Sequence, residues 1–134
     1  MIGCLEWEPA YTDDRIAQAD AVVDLTTDPV TDGSLPVILC GDLNAAPDSP
    51  VLRPVYEALI DTWSAGGGDP GVTTLPSDHP HAPLELTELI DQRIDNIFIR
   101  PGQAGVHLVV ESVAVLSDAV DGSTLPTTWA WCAT

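Results

Sequence analysis

The chain has 134 residues, with 21 Asp and Glu against 4 Arg, no Lys and a net charge of −17. That length holds one domain or a piece of one, and 45% apolar residues suffice to build a core. Four scattered arginines cannot make the counterion-displacing patch of a nucleic-acid binder, nor attract an anionic membrane surface.

A chain this acidic that handles phosphate needs a divalent metal between its carboxylates and the substrate. No apolar run approaches the ~18 residues of a membrane span, and no basic segment precedes an apolar start. As written, the chain reads as cytoplasmic. Cys4, Cys40 and Cys132 are too far apart for a zinc site or a disulfide framework, and read as reduced thiols.

Ile2 to Trp7 suggests a short strand. Thr12 is placed as a helix N-cap, with Asp13 and Asp14 in the first turn, where carboxylates suit the helix dipole. Ile16, Ala19, Val22 and Val23 then form one face of that helix, and Asp13, Asp14 and Asp20 the solvated one. Pro36 to Cys40 is a continuous apolar run, as expected of a strand buried on both faces. Ser49-Pro50 starts a second helix that must break or restart at Pro54. Residues 66 to 83 promise little regular structure. Arg93 to Ile99 and Leu108 to Leu116 read as strands, and Pro126 to Thr134 shows neither pattern. The order predicts a mixed α/β (α+β) fold with helices covering sheet faces. Trp7 and Trp63 read as packing residues, and Glu6 and Glu8 as a solvated edge.

Gly41-Asp42-Leu43-Asn44 follows directly from the apolar strand. Asp42 and Asn44 are two apart in an extended segment and point to the same side. A carboxylate there can orient or deprotonate a water, and an amide can donate to a phosphoryl oxygen without adding charge. The same four residues also suit an ordinary turn. A calcium loop starting at Asp42 fails, because Pro47 falls where glycine is needed and Arg53 where the bidentate Glu belongs.

Cys4 to Pro9, Asp14 to Gln18, Leu35 to Asn44 with Asp48-Ser49-Pro50, and Arg93 to Phe98 occur in that order. Together they resemble the C-terminal half of the endonuclease/exonuclease/phosphatase superfamily, the DNase I-like phosphohydrolases. The resemblance covers about Cys4 to Leu125. It implies part of a four-layer α/β sandwich, and Mg²⁺ or Mn²⁺-dependent hydrolysis of a phosphodiester or phosphomonoester. Nucleic acid, phospholipid and inositol phosphate are the implied substrates of a complete domain, although the charge argues against strong nucleic-acid affinity here.

Carried over by position, Asp42 aligns or activates the attacking water and is the candidate metal contact. Asn44 holds a phosphate oxygen, and Asp95 orients a catalytic histidine. The family's metal-binding Glu is missing, Cys4 stands near a usual histidine, and no Ser-Asp-His follows Asp95. Ser77-Asp78-His79 spells that triplet, but before Asp95 and in a Pro-rich loop, where it reads as a surface turn. His79 and His81 beside Asp78 read as solvated rather than as metal ligands.

The expectation is therefore a family half-domain over 1–125, inactive by itself, with one sheet face uncovered and a chain that is aggregation-prone or molten. A non-catalytic acidic interaction module is the alternative. Residues 126–134 read as an aberrant tail. Plausible GC-rich codons for it, shifted by one base, spell Ser-Asp-His-Leu-Gly-Val-Val-Arg-Asp, so a frameshift would explain the lost triplet.

Overall fold

A computed structural model describes residues 1–28, 30, 34–79, 82–102, 106–116 and 130–133. Its centre is a four-stranded mixed sheet of β1 (Ile2–Cys4), β2 (Val37–Asp42), β3 (Ile60–Asp61) and β4 (Asp95–Arg100). The spatial order is β1-β2-β4-β3, with β1 parallel to β2 and β4 antiparallel to both β2 and β3. Parallel neighbours require a crossover, which α1 (Thr12–Thr27) supplies between β1 and β2. Two short helices follow, α2 (Arg53–Ala58) and α3 (Thr62–Ala65). Away from this sheet, β5 (Val113–Leu116) pairs antiparallel with β6 (Ala130–Ala133). The mixed α/β class expected from the order of elements is what the chain adopts.

Strand alternation sorts the sheet into two unlike faces. Leu39 sits opposite Phe98, at 1% and 0% exposure, and both pack with Ala19 of α1 and Val55 of α2. Tyr56 sets its ring edge-on to Phe98, with centroids 5.0 Å apart. Ile16, Val22 and Val23 pack against the same core, while Asp13, Asp14 and Asp20 stay exposed. Burial of such side chains, at ~1.5–3 kcal/mol each, holds the helices to this face.

The other face is a row of isoleucines. Ile2, Cys40 and Ile97 are aligned across three strands, as are Ile38, Ile99 and Ile60. Ile2, Ile38 and Ile60 remain 86%, 48% and 44% exposed. This corrects the expectation that Pro36 to Cys40 is buried on both sides. The run is apolar throughout because both faces are apolar, but helices cover only one.

Several boundaries also move. Thr12 is the first residue of α1 rather than its cap. A 3₁₀ turn over Pro9–Tyr11 leads in, and the Thr12 hydroxyl donates to the Pro9 carbonyl. After Ser49, turns run to Leu52, and the regular helix begins only at Arg53, with Pro54 in its first turn. Residues Leu108 to Ser112 are not strand, so β5 is shorter than its valine content suggests. Ala130–Ala133 is a strand although no periodicity announces it, whereas Pro126 to Trp129 lie outside the described residues. Trp63 packs as expected at 6% exposure, but Trp7 is 46% exposed.

Candidate active site

β2 ends at Asp42 and β4 begins at Asp95, and the antiparallel register sets these two residues directly opposite each other. Parallel β1 places Cys4 beside Asp42. All three positions alternate onto the isoleucine face, so they form the polar end of an otherwise apolar surface that is open at Ile2, Ile38 and Ile60 and closed at Ile99, which is 6% exposed. Gly41 makes the close approach of β1 and β2 possible. Its φ is +154°, and a Cβ there would overlap the Gly3 carbonyl oxygen, a backbone atom that cannot step aside.

The chain then turns sharply through Asn44, whose φ of 48° is a left-handed conformation that asparagine tolerates better than most residues. Three contacts fix it. Its backbone N–H donates to Asp42 Oδ1 at 2.9 Å, and its side-chain Nδ2 donates to the Leu5 carbonyl at 2.8 Å. From α1, the guanidinium of Arg15, 5% exposed, donates to the Asn44 carbonyl. The second amide N–H points at the Cys4 sulfur, 3.7 Å away, a weak partner that a ligand oxygen could replace.

Thr74 is fully buried, and its hydroxyl oxygen accepts from the N–H groups of Ile94 at 3.0 Å and Asp95 at 3.1 Å. Burial, and then the facing Asp42, push the Asp95 carboxyl up to about 6, with a hydrogen bond from Thr74 opposing the rise. Burial also raises Asp42, partly offset by the Asn44 N–H. The Cys4 thiol is pushed up by burial and by Asp42, which keeps it protonated and a poor nucleophile.

A carboxyl raised in the fold is penalised when it ionises. Its contribution is therefore complete below about 3.8 and declines as pH climbs through about 6. At ~1.4 kcal/mol per unit the shift corresponds to about 3 kcal/mol, which partial exposure reduces to roughly 1–2 kcal/mol. Asp95→Asn should accordingly stabilise the chain by that amount at pH 7 and leave it unchanged at pH 3.5. Urea melts at the two pH values measure this, and a pH-independent difference would contradict it.

The cleft over this pair has a volume of 260 Å³ and is lined by Asp42, Asn44, Asp95 and Ile94, with Thr74, Leu75, Pro83, Leu86 and Leu89 from the preceding loop. Asp42, Asn44 and Asp95, the three residues singled out from sequence, thus meet in one hollow. His79 is not part of its lining, and Ser77 instead donates its N–H to Asp91 at 2.8 Å. His81 lies outside the described residues.

Sequence reasoning missed Thr74, the leucines of the wall and Arg15. Only Arg15 carried a signal, since it is a charged residue in line with the apolar stripe of α1, four before the buried Ala19.

A metal does not fit these residues alone. Among the described residues no group of three His, Cys, Asp or Glu could hold an ion. Asp42 and Asp95 offer hard oxygens, but the third neighbour is the soft thiol of Cys4, unsuited to Mg²⁺. Among the described residues no helix is long and apolar enough to cross a membrane.

Solved structures share this architecture. Danio rerio TDP2, solved in complex with a single-strand DNA product, superposes with a TM-score of 0.68 at 19% identity, over 98% of this chain and 53% of its own. Truncated Caenorhabditis elegans TDP2 gives 0.61 at 16% identity, over 97% and 50%. The mannosyl-6-phosphatase Bt3783 of Bacteroides thetaiotaomicron gives 0.52 at 19%, over 79% and 37%. The likeness is one of fold, a DNase I-like α/β architecture, and this chain spans about half the length of the TDP2 structures. No curated protein matches the sequence significantly. Residues 5–118 match the Endonuclease/Exonuclease/phosphatase family, and the chain belongs to it.

Proposed function

We propose that the chain supplies the carboxylate half of a site for hydrolysing phosphoesters. The observation that carries this reading is the placement of Asp42 opposite Asp95, with the Asn44 amide beside them under one cleft. In such a site Asp42 orients a water and takes its proton as the water oxygen bonds to phosphorus. The P–O bond to the leaving group breaks on the opposite side, and the departing alkoxide takes a proton from an acid outside this chain. Asn44 donates its Cys4-facing N–H to a phosphoryl oxygen. Asp95 holds a histidine in the right tautomer and orientation, that histidine also coming from outside the chain.

The family's use of a divalent cation supports Mg²⁺ or Mn²⁺ dependence of a complete domain, whose further donors this chain does not contain. The half-length match to the TDP2 structures supports reading the chain as a half-domain. Bis-p-nitrophenyl phosphate with Mg²⁺ tests the half-domain reading. The chain alone should show no turnover above buffer, because two carboxylates repel an unscreened phosphoester and, among the described residues, no histidine lines the cleft to protonate the leaving group. EDTA-sensitive turnover abolished by Asp42→Ala would overturn the half-site reading and make the chain sufficient.

A further inference from the structure

Beside the catalytic cleft lies a second hollow of 120 Å³, in which Trp7 and Pro9 face Leu86, Leu89, Glu85 and Glu88. Leu86 and Leu89 line both hollows and form the wall between them. Trp7 leaves 46% of its surface exposed here, an unusual position for the largest apolar side chain. Its volume is about that of four waters at ~30 Å³ each, enough for a small branched head group.

Charge selects what that head group is. Glu85 and Glu88 are exposed, and among the described residues neither makes an ion pair. The chain has no lysine, Arg53 is paired with Glu57, and Arg93 with Asp61. A nucleobase would stack on Trp7, but its phosphates would meet two carboxylates. A neutral apolar group would gain the tryptophan and leave the carboxylates unused. A group that is apolar in its methyls and cationic overall uses the indole face, the leucines and both glutamates together.

We propose that this groove is a recognition subsite for a small alkylammonium group. The further step, that this group belongs to the phosphoester entering the neighbouring cleft, rests on the hydrolase reading above.

Equilibrium dialysis of the full chain against radiolabelled choline tests the subsite and tolerates self-association. Saturable uptake is expected, with 3,3-dimethyl-1-butanol, the neutral isostere of choline, competing far less well. Trp7→Ala should weaken choline roughly 3- to 30-fold, with Trp7→Phe intermediate. Should Trp7→Ala fail to fold, the double change Glu85→Gln and Glu88→Gln, at two exposed positions, should weaken choline by a similar factor. No saturable uptake, equal competition by the neutral isostere, or indifference to the glutamates would overturn the subsite. Choline uptake is independent of the hydrolase reading: Asp42→Ala, which removes the water-orienting carboxylate of the neighbouring cleft and lies outside the groove, should leave it unchanged.

Discussion

Arg93→Met lowers the unfolding free energy by about 3–5 kcal/mol, the cost of stranding a buried charge. The guanidinium grips Asp61 with two parallel bonds, Nη1 to Oδ1 at 3.0 Å and Nη2 to Oδ2 at 2.8 Å. The two side chains are only 6% and 5% exposed, so solvent cannot replace a lost partner. Nη2 also donates to the Tyr56 hydroxyl at 2.9 Å, tying the pair to α2 and, through the Tyr56 ring, to Phe98. Asp61 does more than balance charge. It accepts the Trp63 N–H at 3.1 Å and the Ser64 hydroxyl at 2.7 Å, capping α3.

Removing Arg93 leaves that carboxylate with two neutral donors in a dry site, and Arg93 itself lies two residues before the start of β4. Replacing both charges, by Arg93→Met with Asp61→Asn, should recover a substantial part of the loss. Urea melts of the four proteins of this cycle supply the measurement. A cost near 1 kcal/mol for Arg93→Met, as exposed pairs give, would show the pair to be water-accessible.

This pair also shows what a sequence hides. Asp61 and Arg93 are 32 residues apart, and nothing near either announces the other. The same holds for Thr74, whose hydroxyl meets the Asp95 backbone 21 residues later. Local chemistry was legible where one segment carries the whole pattern. Gly41-Asp42-Leu43-Asn44 after an apolar strand locates the strand end, although Asn44 lies past it in a left-handed turn rather than in the extended segment expected, and the stripe from Ile16 to Val23 locates the buried side of α1. Register is not local, so the facing of Asp42 and Asp95 could not be read from either motif.

Periodicity also does not distinguish a strand buried on both faces from one with two apolar faces and a single cover, and that is why Pro36 to Cys40 reads as the former. Ala130–Ala133 pairs with β5 through backbone groups, which any short sequence can offer.

At micromolar concentration the chain self-associates through its isoleucine face, and added salt strengthens the association. Ile2, Ile38, Ile60, Ile97 and Ile99 sit on one side of the sheet in two adjacent cross-strand rows. Three of them keep between 44% and 86% of their surface in water. Soluble monomers rarely leave a contiguous apolar patch above a few hundred Å² open, and sheets close such faces by packing ~10 Å from another layer.

Opposing this is the net charge of −17, which repels a second copy and keeps dilute chains apart at low ionic strength. Screening shortens that repulsion to about 8 Å at physiological salt, while apolar burial is unaffected or strengthened. Association should therefore rise between 10 and 150 mM NaCl, roughly the range over which the Debye length falls from 30 to 8 Å. A surface held together by ion pairs would respond in the opposite direction.

Ile2→Thr with Ile38→Thr and Ile60→Thr keeps β-branched side chains in the strands and removes much of the apolar drive. These changes should move sedimentation profiles toward monomer at every salt concentration. Asp42 and Asp95 lie at the polar end of this same face, so whatever covers the isoleucines also roofs the cleft. A monomer that melts in one sharp calorimetric transition at 150 mM salt, unaltered by the three threonines, would show that the face needs no cover.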